Sequence, residues 1–243
     1  WTGLRPTGQP AGKEGYLRTN GQDFEFERKP GEKVRCYGVN ICGDMCWGLT
    51  DEEYDRFAAN LARIGYNSVR IHHHDGGLAT GRGGTELNPV NMARFDYLAK
   101  ACIDHGLYLT TDLYVSRSVA RRAVGEDADG TLSMNEAKMR CYVPGPMQEN
   151  FFAFASNFLC HVNAVTGRRL ADEPALAFLS MVNEACFGDN PAFLAKQPGW
   201  KEAWAKWLAA KRREDAAFYS SVPDGFPIAK SADTPAGQAF FLF

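Results

Sequence analysis

Residues 67–77 read NSVRIHHHDGG, and the first six of them decide the fold. Val69 and Ile71 alternate with Arg70 and His72, the period of two that belongs to a β-strand. Asp75-Gly76-Gly77 then breaks the alternation, so the strand ends in a loop. Val69 and Ile71 face a helix layer on this reading, while Arg70, His72 and His74 share the other parity.

Working outward, the same cycle recurs. KVRCYGVNI at 33–41 is an earlier strand, after which Thr50 and Glu53 form a capping box. The helix so opened carries Tyr54, Phe57, Leu61 and Ile64 at helical spacing and closes at Gly65. Beyond the quoted stretch, Asn88-Pro89 opens a second helix with Phe95, Leu98, Cys102 and Ile103 on one side. GLYLTTDLY at 106–114 is a third strand, followed by a long polar loop and a helix bearing Phe151, Phe154, Phe158 and Val162. PALAFLSMVNEA at 174–185 is the fourth strand. Strands apolar on both faces that alternate with helices predict an α/β fold with a parallel sheet. Asn40, His72, Asp112 and Glu184 fall at the strands' carboxyl ends, where such folds place their chemistry.

Length has to be weighed against this count. A (β/α)8 barrel takes about 250 residues, yet only four strand–helix units precede residue 184. An amphipathic helix follows at 200–215, another starts at Thr234-Pro235, and no strand-like run lies between 187 and 233. The expectation is the first half of a barrel, with a linker at 1–14, a β-hairpin at 15–32 plugging its floor, and βα units from 33 to the end at 243. The start at Trp1, without a methionine or a leader, suits a piece of a longer chain with further domains.

Composition excludes some classes. With 45% apolar residues the chain buries a core, and a net charge of −2 offers no footprint for nucleic acid. The longest apolar run, ALAFLSMV at 175–182, is far short of a membrane span. Seven cysteines, several inside apolar runs (Cys36, Cys102, Cys160), favour free thiols over a disulfide framework. Cys42 and Cys46 lack the second pair that would complete a zinc set.

GVNI at 38–41, VRIH at 69–72 and MVNE at 181–184 resemble the strand ends of glycoside hydrolase family 5, and more broadly the retaining glycosidases built on (β/α)8 barrels. The likeness runs from about residue 15 to 184. It implies that Glu184 is the general acid/base, that Asn183 assists it, and that Arg70 supports the nucleophile. It further implies a carbohydrate substrate with β-linkages, no cofactor, no metal, and an extracellular, periplasmic or cell-surface setting. The chemistry agrees: a poor leaving group needs a proton from a carboxyl, and partial burial at a barrel mouth would raise that carboxyl's pKa. A retaining route also needs a second carboxylate roughly 5 Å away. In the resembling family it stands on strand seven, which is lacking here; Glu202 and Glu214 sit on a solvated helical face. These residues alone are therefore expected to be inactive.

Other residues carry two readings. His72 and His73 suit substrate hydrogen bonds, but His72 and His74 also have the H-x-H spacing of metal-dependent barrel hydrolases. Such sites need more ligands, and only His105 and His161 remain, both in helical segments. Trp47 and Tyr114 could stack on sugars or pack the rim, and Asn40 could contact substrate. Asp112 either contacts substrate or pairs with Arg70; many family members have a histidine near this point. Trp200, Trp204 and Trp207 form a helical stripe that reads as core. A non-catalytic carbohydrate-binding barrel is the remaining alternative.

Overall fold

A computed structural model describes residues 8–185, 187, 190–228 and 232–243. Two compact units emerge, one of Trp1–Arg117 with Ala153–Asn183 and one of Ser118–Phe152 with Glu184–Phe243.

The first unit holds both sheets. Strands β1 (Leu17–Thr19), β2 (Phe24–Phe26) and β3 (Lys29–Val34) form an antiparallel sheet in that order. Strands β4 (Gly38–Cys42), β5 (Ser68–His72), β6 (Tyr108–Asp112) and β7 (Leu176–Ser180) form a parallel sheet, also in chain order. The α/β class and the four parallel strands are as the sequence predicts. The single strand expected at 33–41 is instead two, because Asn67 clamps the chain between them. Its side-chain amide donates to Arg35 O at 2.7 Å and its oxygen accepts from Tyr37 N at 2.7 Å. The backbone so leaves one sheet at Val34 and enters the other at Gly38, and the expected hairpin becomes a three-stranded sheet.

Helix α1 (Asp51–Ile64) has the predicted capping box at Thr50 and Glu53 and ends on Gly65 at φ +108°. It buries Tyr54, Ala58, Leu61 and Ala62, whereas Ile64 is exposed in the last turn. After the single turn α2 (Asp75–Leu78), helix α3 (Pro89–Asp104) starts where Asn88 accepts from Val90 N and Asn91 N. It packs beside α1, and Val69, Ile71 and Leu109 are buried on the helix side of the sheet. On the other face Asn40, Arg70, Thr110 and Phe178 stand in register across the four strands.

Residues 1–7 of the expected linker lie outside the described residues. The rest of it is not a linker. Ala11 is buried and its amide donates to Ile103 O at 2.8 Å. A Cβ on Gly12, at φ +80°, would stand 2.9 Å from Ala175 N, so the chain passes too close for any side chain. Phe26 of β2 stacks on Tyr108 at 4.8 Å, at the amino end of β6. A cavity of about 330 Å³ there is lined by Gln9, Ala11, Lys33, Tyr108 and Ala177, and by none of the predicted site residues.

The second unit is helical. It comprises α4 (Met134–Arg140), the first half of α5 (Pro146–Cys160), α6 (Pro191–Leu194), α7 (Trp200–Glu214), α8 (Ala216–Tyr219) and α9 (Pro235–Leu242). The tryptophan stripe is core, as expected: Trp204 is fully buried and rings of Trp207, Phe226 and Phe243 lie within 5.3–5.9 Å of it. Sequence reading missed α4, though Ser133 and Glu136 form its capping box in plain view.

Candidate active site

The polar face of the parallel sheet gathers its chemistry around a buried carboxylate. Arg70 donates to Asp112 twice, Nη2 to Oδ1 at 2.7 Å and Nε to Oδ2 at 3.2 Å. The same Nη2 reaches Asn183 Oδ1 at 2.9 Å. His72 Nδ1 lies 2.8 Å from Asp112 Oδ2, and since a carboxylate only accepts, that nitrogen carries the proton. Burial alone would raise the Asp112 carboxyl; the hydrogen bonds from Arg70 and His72 outweigh it and hold the group below the usual range. Asp112 thus pairs with Arg70, the second of its two sequence readings. It is fully buried in doing so, whereas the Arg70 side chain keeps 33% exposure.

Positions follow from strand alternation up to His72 and depart from it afterwards. His73 has φ +51°, and a left-handed residue inverts the sequence of faces. His74 therefore does not share the face of Arg70 and His72. It is fully buried, 5.1 Å from the Phe158 ring and 5.7 Å from Phe95. Thr111 Oγ1 is 3.5 Å from its Nε2, and among the described residues its Nδ1 has no partner. Desolvation lowers its pKa to about 4. The H-x-H pair is consequently split between two layers, and the metal-hydrolase alternative loses its geometry. His161 is taken up by Asp96, 2.9 Å away.

The remaining candidates fall out as follows. His73 is exposed and its Nδ1 sits 3.0 Å from Ser116 Oγ. Asn40 is exposed on β4, in register with Arg70. Trp47 lies edge-on to Gly77, where a Cβ would be only 2.3 Å from the indole, so the ring is partly committed to packing. Tyr114 is fully buried, its hydroxyl donating to Arg117 O at 2.7 Å, with the Arg117 guanidinium 5.6 Å from its ring. A ring in that setting is rim packing and offers no sugar platform. Cys46, one turn past β4, donates to His72 O at 3.7 Å, and burial pushes its thiol up to about 12. Cys36, Cys42, Cys46, Cys102 and Cys160 are free thiols.

Asn183 closes the first unit, nearly buried, its amide N–H bonded to Tyr114 O at 2.9 Å. With Oδ1 held by Arg70, Nδ2 is the atom left to donate. Glu184, the next residue, has φ +53°. It and His73 are the two non-glycine residues in the left-handed region among those described; His73 directly follows β5, whereas Glu184 lies in the turn beyond β7, which ends at Ser180. Contrary to the expected burial, the Glu184 side chain is 77% exposed, and its ionic neighbour is Lys138 at 3.9 Å.

Sequence reading missed Asp75. This buried carboxylate accepts from Val115 N (2.8 Å), Ser116 N (3.0 Å) and Arg117 N (2.9 Å), and so ties the loop after β6 to the loop after β5. Its signal was an acid inside a Gly-rich turn, which reads equally as solvated.

No protein-family model and no curated sequence matches the chain. Among solved structures, it is similar to the endo-1,4-beta-mannanase from Rhizomucor miehei, with a TM-score of 0.52 and 14% identity over 83% of this chain and 58% of that one. It is also similar to the endo-beta-1,4-mannanase from Thermotoga petrophila (TM-score 0.47, 17% identity, 76% of this chain and 42% of that one). A third similar structure is the exo-beta-1,4-mannosidase from Opitutaceae bacterium strain TAV5 (0.44, 19%, 83% and 32%). The first likeness shows a fold shared with that mannanase, and the chain spans 58% of its length.

Proposed function

We propose that this chain carries the acid/base half of a retaining glycosidase acting on β-linked glycans. In this reading the four parallel strands are the first four of a (β/α)8 barrel domain running from residue 15, and Glu184 protonates the departing glycosidic oxygen. Asn183 donates to the sugar's neighbouring hydroxyl, Arg70 sets positive charge beside the carboxylates, and His72, His73, Asn40 and Trp47 supply substrate contacts. The observation that carries it is Arg70 of β5 held between Asp112, at the carboxyl end of β6, and Asn183, which follows β7 and precedes Glu184. That a neighbouring fold belongs to mannanases makes β-1,4-mannan the first substrate to try.

The nucleophile is assigned to strand seven of a completed barrel, so these 243 residues should turn over no aryl β-glycoside by themselves. The reading is tested in a chain extended through the remaining strands. There Glu184→Gln should cut turnover of unactivated β-glycosides by roughly 10²- to 10⁴-fold. Dinitrophenyl glycosides, whose leaving group needs no proton, should keep a fast first step, and added azide should trap a glycosyl azide. Unchanged hydrolysis of unactivated substrate by Glu184→Gln sinks the assignment.

A further inference from the structure

The charge that faces Glu184 comes from an unusual place. Lys138 lies on α4 between buried Ala137 and Met139, and its own side chain is only 3% exposed. Lysines are almost never so buried without a partner, since an uncompensated ammonium away from water is costly. Among the described residues the ionic partner is Glu184, Nζ to Oε2 at 3.9 Å. Other charges around α4 are engaged elsewhere: Arg121 with Glu126 and Glu136, and Arg140 with Glu126, Glu136 and Gln197. The helix is itself fixed, capped by Ser133 and Glu136 and bonded from Trp200 Nε1 to Met139 O at 3.2 Å. A rigid helix thus holds the ammonium, and the acid comes to it on a strained backbone.

We infer that Lys138 is a positioning residue for Glu184, its ammonium setting where the carboxyl group stands. The inference rests on the acid/base reading and gives it a partner. As the nucleophile bonds to the anomeric carbon and the bond from that carbon to the glycosidic oxygen breaks, the Glu184 proton passes to that oxygen, and the carboxylate left behind faces the ammonium. In the second half-reaction the same carboxylate takes a proton from the attacking water. At 3.9 Å there is no hydrogen bond, so Lys138 acts through its charge and transfers no proton itself.

The test uses the 243-residue chain with carbon-13 in its glutamate carboxyls and lysine side chains, titrated by NMR. Glu184→Gln identifies the Glu184 signal by its loss. Lys138→Met should displace the Glu184 carboxyl resonance at neutral pH, and Lys138→Arg should hold it in place. Should the methionine variant fail to fold, the unsubstituted chain still decides. Its Lys138 Cε signal should show an inflection with pH that disappears in Glu184→Gln. A Glu184 resonance that stays where it was in folded Lys138→Met, or a Lys138 signal without that inflection, overturns the inference. Because neither readout requires turnover, failure of the pair and failure of the glycosidase reading are separately visible.

Discussion

Arg70 and Asp112, on adjacent parallel strands, meet through two hydrogen bonds of 2.7 and 3.2 Å, and the carboxylate has no exposure to solvent. A fork-shaped donor is needed here, because one guanidinium also reaches Asn183 at 2.9 Å. Arg70→Met takes both guanidinium bonds from Asp112, leaving it His72 and Ser180, and should cost about 3 kcal/mol in urea unfolding. Arg70→Lys keeps the charge without the fork and should recover only part of it. A loss for Arg70→Met below about 1 kcal/mol would mean the pair behaves like a surface ion pair.

His74 should make the fold acid-sensitive. Its folded pKa is lowered from 6.5 to about 4 by burial, so the native state binds the proton less readily than the unfolded chain. The sign follows: stability is full above pH 6.5 and drains as pH falls toward 4, by an amount of about 3 kcal/mol. Asp112, whose carboxyl is also lowered, contributes its own loss further down, below the ordinary carboxylate value of 3.8. His74→Leu should flatten the curve between pH 6.5 and 4, measured by urea midpoints. Parallel curves for the two proteins would exclude His74 as the sensor.

Much of this was legible in the sequence for a local reason. Alternation in VRIH, glycine-bounded apolar runs and the box at Thr50 and Glu53 act within a few residues, so strands and helices could be placed. What escaped depends on distant partners. The break between Val34 and Gly38 is imposed by Asn67, thirty residues on from Tyr37. The face of His74 turns on one dihedral at His73, and the exposure of Glu184 and burial of Lys138 become visible only once α4 is in place.

Trp47 and Gly77 form a contact that tolerates no added atom. A Cβ on Gly77 would come within 2.3 Å of the indole, so Gly77→Ala should destabilise by about 1–3 kcal/mol through overpacking. Trp47→Ala removes the obstacle, and the double variant should be more stable than the sum of the two single losses predicts. Strict additivity in thermal melts would show that the indole is displaced without cost, and would return Trp47 to the sugar-stacking reading.

Asp75 is the group on which the site's loops depend. Its Oδ2 accepts three successive amides, Val115, Ser116 and Arg117, and Ser116 in turn stands against His73. Hydrogen bonds to an ionised acceptor contribute about 1.5–3 kcal/mol, roughly twice a neutral one. Asp75→Asn retains one oxygen without the charge, and should lose about 2 kcal/mol. Asp75→Ala leaves the amides with no acceptor in a buried position, so their loop must open to water. Hydrogen exchange at 115–117 should therefore accelerate strongly in Asp75→Ala and modestly in Asp75→Asn, while exchange in the α1 interior stays as it was. Equal protection of the loop in all three proteins would show that its position is set by packing, and that the carboxylate is incidental to it.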